Sequence, residues 1–380
     1  MKEKEFDMTA KTFFGLEDLV IEELKEIGAK DIQKGNRVVT FKGDKTVLYR
    51  SNLWLRTALK VLVPVARFNA PDEEMLYKHV KKFNWGSVMS VDQTISVDST
   101  VLSDTFTHSK YIALKVKDAI ADYFRARTGE RPSVDIEDPD IRVHIHVAGT
   151  QCILSLDASG EPLNRRGYRK EQREAPLNET LAAALVKLSG WTGEGNLVDP
   201  MCGSGTIPIE AAMIALNMAP GLKRKFAFQN WKDYDPMIWK RLLGEALMKR
   251  KRFDHMIYAS DISDEAIEIA INNMTRAGIE DYVRVSRGNF IDKAKPAGEN
   301  GVMIVNPPYG ERIGDRVEAL YEAMGNKFKQ GYEGFKVWMI TSNKEALKKV
   351  GLRPSKRMTV HNGGLECKYV CYDMYKGSKR

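Results

Sequence analysis

In LEDLVIEELKEIG, Leu16, Leu19, Val20, Leu24 and Ile27 recur at the three- and four-residue spacing of one helical face, which predicts an early helix. NRVVTF then reads as a strand, and TVLYRSNLWLRTALKVLVPV as a second helix and strand. In SKYIALKVKDAIADYFRAR the residues Ile112, Val116, Ala119, Ile120 and Tyr123 align along another helical face. IRVHIHV alternates strictly, with Ile141, Val143, Ile145 and Val147 on one side and Arg142, His144 and His146 on the other. CILSLD follows as its hairpin partner. His144 and His146 have no evident third ligand, so they are expected on the polar face of a half-buried strand, with no metal.

From about residue 177 the rhythm changes. GNLVDP, MIYASDI, YVRVSRGNF, GVMIVNPP and FKVWMITS are short apolar strands separated by helical stretches, and the chain ends on a hairpin around Asn362-Gly363-Gly364. Alternating strands and helices predict a parallel sheet covered on both faces. The predicted architecture is therefore α/β: a Rossmann-like, doubly wound sheet closed by an antiparallel hairpin and preceded by an α+β N-terminal region. The expected division is 1–160 for that region, 161–176 for a linker and 177–380 for the sheet domain, with an insertion at about 220–252.

Composition narrows the class. The 380 residues are 43% hydrophobic and 29% charged, enough to build two or three soluble domains. No apolar run reaches membrane-spanning length, and MKEKEFDMTA lacks a secretory core, so an intracellular, cytoplasmic protein without a membrane partner is expected. The four cysteines are scattered; Cys367 and Cys371 lie about 13 Å apart if both are on one strand, which argues for free thiols. Nothing in the sequence speaks to oligomeric state.

The net charge of +8 suits a polyanionic partner, and its distribution sharpens the point. GEPLNRRGYRKEQREAP has no hydrophobic period and carries Arg165, Arg166, Arg169, Lys170 and Arg173 around Tyr168. Such a run often only connects; here the aromatic and the sign imbalance favour a strip that grips RNA phosphates. The insertion holds ten basic residues against three acidic, plus Trp231 and Trp239, whose rings are expected to cover the sheet edge.

LVDPMCGSGTIPIEAAMIA is a strand, a glycine-bearing turn and a helix. Gly203 and Gly205 supply positive φ and close approach, and Thr206 opens the helix whose amides face the crevice. A Walker loop is excluded because no Lys-Ser or Lys-Thr pair follows, and the dinucleotide pattern fails because Pro208 holds its third glycine position. Asp261 ends the second apolar strand, where an acid can accept from two ribose hydroxyls. Its other reading is a cap on the helix starting near Ser263. At the third strand's end, Asn289 is placed to read an adenine edge and Phe290 to pack on its ring.

Asp199-Pro200-Met201-Cys202-Gly203-Ser204-Gly205-Thr206, Asp261 and Asn306-Pro307-Pro308-Tyr309 together resemble the class I S-adenosylmethionine-dependent amino-methyltransferases. APLNETLAAALV resembles the helix that precedes their glycine turn. With the N-terminal layout and the basic insertion, the whole chain is similar to the bacterial THUMP-domain 23S ribosomal RNA guanine-N2 methyltransferases, often labelled N6-adenine-specific DNA methylases. The resemblance implies a THUMP domain at about 45–157 after a ferredoxin-like start. It also implies S-adenosylmethionine as cofactor, contacted by Thr180, Asp199, Pro200, Cys202, Gly203, Gly205, Thr206, Asp261, Ile262, Asn289 and Phe290. Asn289 departs from the aspartate that many relatives carry.

The resemblance gives Asn306-Pro307-Pro308-Tyr309 a chemical role. The Asn306 side-chain carbonyl and the Pro307 main-chain carbonyl, directed by the rigid Pro307-Pro308 step, can accept both hydrogens of an exocyclic amine. Tyr309 can stack on a flipped base. Guanine N2 in 23S rRNA is the leading substrate. Guanine N2 in tRNA, adenine N6 in DNA and a non-catalytic RNA-binding assembly factor remain as alternatives; a nicotinamide oxidoreductase is weaker. Glu311 and Arg312 pair locally or support the target nucleotide.

Overall fold

The strictly alternating stretch at 141–147 does form a strand, the next to last in a seven-stranded sheet of the computed structural model. The structure describes residues 4–169, 177–296, 300–310 and 316–375. Its first sheet is built from β1 (Phe6–Thr12), β2 (Lys30–Lys34), β3 (Val38–Gly43), β4 (Ala58–Asn69), β5 (Ile95–Leu102), β6 (Ile141–Ala148) and β7 (Gln151–Asp157). Their spatial order is β2-β3-β1-β4-β7-β6-β5. The twelve-residue β4 pairs antiparallel with β1 through Leu62 and with β7 through Asn69. Its register shifts between Pro64 and Ala66, where the proline cannot donate to the ladder. β6 and β7 make the expected hairpin, with Val147 opposite Cys152.

The inward positions Ile141, Val143, Ile145 and Val147 are buried, and so is the predicted face of the helix Ser109–Thr128, which packs on β5. His144 departs from its expected place. It is 8% exposed, hydrogen-bonded to Thr100 at 3.0 Å, and burial with Lys11 and Lys60 nearby holds its imidazole down to about 3. Across the same face Lys60 meets Asp157 at 2.5 Å.

Residues 224–244 of the basic insertion pack with this first unit. Phe228 stacks on Tyr49 with centroids 4.3 Å apart, Trp239 meets both rings edge-on, and the Asp235 amide donates to the Tyr49 hydroxyl at 2.9 Å. The Arg224 guanidinium donates to the carbonyls of Glu161 and Pro162 and lies 4.9 Å from the Phe226 ring centre. The insertion's aromatics therefore pack on the N-terminal unit, where Tyr49 offers the apolar face they need, rather than on the edge of the second sheet as expected.

The second sheet consists of β8 (Asn196–Asp199), β9 (Ile257–Asp261), β10 (Val283–Arg287), β11 (Gly301–Val305), β12 (Phe335–Thr341), β13 (Lys356–Asn362) and β14 (Leu365–Asp373). The order is β10-β9-β8-β11-β12-β14-β13, parallel from β10 to β12 and antiparallel through the final hairpin. This is the Rossmann-like class I arrangement. The chain winds outward from β8 to β10, then returns to place β11 on the other side of β8. That reversal opens a crevice at the carboxyl ends of β8 and β11. All four cysteines are free and buried. No helix among the described residues is long and apolar enough to cross a membrane.

Candidate functional site

β8 delivers Asp199 into the crevice, and the chain turns through Met201–Gly205 before the helix Thr206–Ala215 begins. Gly205 has φ +81°, and a Cβ there would sit 2.9 Å from Met274 Cε and 3.2 Å from Ala270 Cβ. Only glycine allows both that conformation and that approach to the helix Asp264–Ala277. Gly203, at φ +52°, instead faces open space: an added Cβ meets nothing within 4 Å.

Neighbouring elements hold the turn. The Cys202 amide donates to the Ser260 carbonyl at 2.9 Å, and the Gly203 amide to Asp261 Oδ2 at 3.0 Å. Asp261 Oδ1 accepts from the Ser263 amide, while Ser263 itself caps the following helix through the Ala266 amide. The acid is thus engaged at the turn and is not the helix cap. From behind, Asn273 Nδ2 donates to the Ser204 carbonyl at 3.0 Å. Burial pushes the Asp199 carboxyl well above the usual carboxylate range, with the nearby Asp261 charge adding to it.

The remaining residues expected at the cofactor divide. Pro200, Cys202 and Thr206 are buried in the turn and the start of its helix, Thr180 is buried in the first turn of the helix Glu179–Leu188, and Ile262 is 65% exposed beside Asp261. Asn289 is exposed, with its amide nitrogen donating to Asp292 at 2.8 Å. Phe290 requires correction. It is 2% exposed in the core, 5.8 Å from the ring centres of Phe328 and Tyr332, because the chain turns inward after Asn289. It is not available to an adenine ring.

At the exit of β11, Asn306 is half-buried, Pro307 buried and Pro308 exposed. The Tyr309 hydroxyl donates to Asn306 Oδ1 at 2.8 Å, and the Tyr309 carbonyl accepts from Asn343 Nδ2 at 2.9 Å. The Pro308 carbonyl accepts from Tyr321. The Tyr309 ring is partly buried against the core rather than standing free, and burial with Cys367 beside it raises its pKa far above that of an ordinary tyrosine. Glu311 and Arg312 lie outside the described residues.

The phosphate-gripping strip is the second correction. Arg166 and Tyr168 are 3% and 2% exposed, with the Arg166 guanidinium 3.5 Å from Glu210 and the Tyr168 hydroxyl donating to Glu210 at 3.0 Å. Arg169 pairs with Glu179 at 3.4 Å and donates to Thr206 Oγ1 at 2.6 Å and to the Leu177 carbonyl. The two arginines and the tyrosine are turned inward by carboxylates on two apolar helices, Glu179 at the head of one and Glu210 in the middle of the other, so they are not a phosphate surface. Arg165 stays exposed, and Lys170 lies outside the described residues.

Residues not singled out in the sequence complete the site. Asn273 and Glu210 stand among apolar neighbours on helices, a polar signal on a core face. Lys293 folds over the exit of β10, donating to Ser286 Oγ at 2.5 Å with its side chain against Gly288. No sequence period marks it. Among the described residues no cluster of three metal-ligating side chains occurs.

Comparison with known proteins gives three family matches: an RlmL ferredoxin-like domain over 7–62, a THUMP domain over 70–157, and an RMKL-like methyltransferase domain over 166–371. A Synechocystis sp. protein provisionally named an RNA methyltransferase is 40% identical, over 97% of this chain and 98% of its own. The ribosomal RNA large subunit methyltransferase K/L of Syntrophotalea carbinolica is also 40% identical, over 95% of this chain. That match covers 52% of the relative, so the chain spans about half the length of the K/L proteins. Among solved structures, SMU.472, provisionally named a methyltransferase and complexed with SAH, aligns with TM-score 0.88 at 30% identity, covering 99% of this chain and 100% of that one.

Proposed function

Since the chain belongs to the RMKL-like methyltransferase family, with a THUMP domain and an RlmL ferredoxin-like domain, we propose that it methylates the exocyclic N2 amine of a guanine in RNA, 23S ribosomal RNA being the first substrate to test. The observation that supports this reading is the parallel adjacency of β8 and β11, which leaves the glycine turn and Asn306 at the same end of neighbouring strands.

The turn suits a nucleoside cofactor. Space lies open over Gly203, Asp261 offers carboxylate oxygens at its rim, and Ile262 presents an exposed apolar side chain next to it. Asp261 would hold the ribose, Ile262 and Asn289 would border the adenine, and Thr180, Asp199, Pro200, Cys202, Gly205 and Thr206 would shape the rest. S-adenosylmethionine, when bound, supplies a methyl group activated by its sulfonium.

The protein's part is placement. An exocyclic amine is a poor nucleophile because its lone pair is delocalised into the ring. Accepting its two hydrogens at Asn306 Oδ1 and the Pro307 carbonyl favours a pyramidal nitrogen and fixes the lone pair's direction. Pro308 keeps that carbonyl rigid, and Tyr309 orients the carboxamide through its hydrogen bond. The proton released from nitrogen passes to water. Arg165 and Lys170 are the strip residues left for contact with RNA.

The test is methyl incorporation into 23S rRNA from labelled S-adenosylmethionine, with nucleoside mass analysis of the product. N2-methylguanosine is expected, and Asn306→Ala should lose it while retaining RNA affinity. Label recovered as N6-methyladenosine, or full activity in Asn306→Ala, would overturn the reading.

A further inference from the structure

β11 and β12 run parallel, and the last pair of their ladder sets Val305 opposite Met339. Carried on, that register would put Pro307 beside Thr341 and Tyr309 beside Asn343. The ladder stops because Pro307 and Pro308 have no N–H to give. Carbonyls beyond that point need other donors, and side chains supply them. Asn343 Nδ2 donates to the Tyr309 carbonyl at 2.9 Å. The Tyr321 hydroxyl, on the helix Arg316–Gly331, donates to the Pro308 carbonyl and lies 2.7 Å from Thr341 Oγ1. Thr341 Oγ1 also accepts from the Asn343 amide at 3.0 Å. With Thr341 donating to Tyr321, each hydrogen is used once, and one chain of bonds runs from Asn343 to the Pro308 carbonyl. Among the described residues no donor reaches the Pro307 carbonyl, the acceptor proposed for the amine.

Asn343 cannot turn away from this contact. Its side-chain oxygen accepts from the Ala346 amide at 2.9 Å and caps the short helix Lys344–Lys349, while its main-chain carbonyl accepts from Leu347. With the oxygen committed to the cap, the carboxamide must show its nitrogen to the loop. A Cβ added at Gly310 would stand 3.3 Å from Asn343 Nδ2, so a glycine there lets the two segments close. Thr341 and Tyr321 are fully buried, where water does not replace a lost donor.

From this we infer that Asn343, backed by Thr341 and Tyr321, is a positioning residue for methyl transfer. It braces the two carbonyls that follow Pro307, and so keeps the Pro307 carbonyl and the Asn306 carboxamide aimed at one nitrogen. The inference rests on the amine site proposed above and does not depend on which base carries the amine.

The test separates the helix cap from the brace. Asn343→Asp keeps an oxygen on the Ala346 amide and sets a second acceptor against the Tyr309 carbonyl. Asn343→Ser caps as well and carries no second polar group to reach the loop. Methyl incorporation into 23S rRNA from labelled S-adenosylmethionine is measured under multiple and single turnover. Asn343→Ser should lower kcat about tenfold, the loss of one hydrogen bond, and Asn343→Asp about a hundredfold, the loss expected of a misplaced amine. KM for RNA, SAH affinity and melting temperature should stay near the parent in both. Combined with Tyr309→Phe, Asn343→Ser should cost less than it does alone, because both act through the same loop.

A parent-like kcat in Asn343→Asp, with Asn306→Ala inactive, would overturn the brace and leave the proposed reaction standing. Falls in melting temperature and SAH affinity that account for the lost kcat would reduce Asn343 to a helix cap. Full activity in Asn306→Ala would overturn the amine site and the brace with it.

Discussion

The Tyr309 hydroxyl donates to the Asn306 carboxamide oxygen across 2.8 Å. A carboxamide can present either its oxygen or its nitrogen to a partner, and a phenol that donates selects the oxygen. One lone pair is taken and one is left, so in the proposed reaction the second would accept an amine hydrogen and the tyrosine would help to aim the asparagine. Burial keeps that phenol protonated far beyond neutral pH, so the donor is always present. Tyr309→Phe retains the ring and removes only this bond. Methyl transfer should fall about tenfold in kcat, the effect of one lost hydrogen bond of about 1.4 kcal/mol, with SAH affinity unchanged. Single-turnover kinetics checks this; an unchanged rate would reduce Tyr309 to a stacking surface.

Arg166 is a structural cation on the present geometry. It lies 3.5 Å from Glu210 with both side chains at 1% exposure or less. Replacing it by methionine leaves a carboxylate in the core beside a tyrosine hydroxyl. Removing one member of a buried pair typically costs about 3–5 kcal/mol. Urea unfolding of Arg166→Met should show a loss of that order, and RNA affinity measured on the folded fraction should stay within about twofold of the parent. Preserved stability with tenfold weaker RNA binding would return Arg166 to the phosphate strip.

His144 makes stability depend on acid. The folded state holds its imidazole to about 3 and the unfolded chain releases it to about 6.5, so the folded form is the one that refuses the proton. The contribution is complete above about pH 6.5 and is lost as pH falls toward about 3. At pH 4.5 the loss should be about 2 kcal/mol. His144→Gln keeps a hydrogen-bonding side chain facing Thr100 and has no proton to gain. Its unfolding midpoint should therefore fall less than the parent's between pH 7 and 4.5. Equal losses in the two proteins would place the acid sensitivity elsewhere.

What the sequence revealed and hid has physical causes. β11 and its exit are legible because Pro307 and Pro308 stop a buried run at a defined place. β2 is not, because Lys30–Lys34 exposes nearly every side chain and leaves no alternation to read. Arg166 reads as part of a phosphate-gripping strip because it lies in a stretch without period, whereas the structure pairs it with Glu210. The clue lay elsewhere, in an acid inside TIPIEAAMIA, where a helix buried on all sides must find that acid a cation. The aromatics of the insertion were evident, but Tyr49, the ring they pack on, is nearly two hundred residues earlier. Phe290 shows the limit of reading strand tips: whether the residue after a strand faces the crevice or the core depends on a single turn.

The two glycines of the turn separate shape from stability. At Gly205 a methyl group would meet Ala270 Cβ at 3.2 Å and Met274 Cε at 2.9 Å, and its φ of +81° disfavours any other residue. The methionine terminus can move, but the alanine on a packed helix cannot. At Gly203 a methyl group would meet no protein atom within 4 Å, and its φ of +52° adds only the ordinary left-handed penalty of about 1–2 kcal/mol. Gly205→Ala should thus lose several degrees in melting temperature as the turn and the helix Asp264–Ala277 move apart. Gly203→Ala should melt closer to the parent and yet lose SAH affinity at least tenfold, because its methyl projects into the open space that the proposed function gives to the cofactor. Calorimetry with SAH beside thermal melts gives both readouts. If Gly203→Ala binds SAH like the parent, the open space over that glycine is not where the cofactor lies.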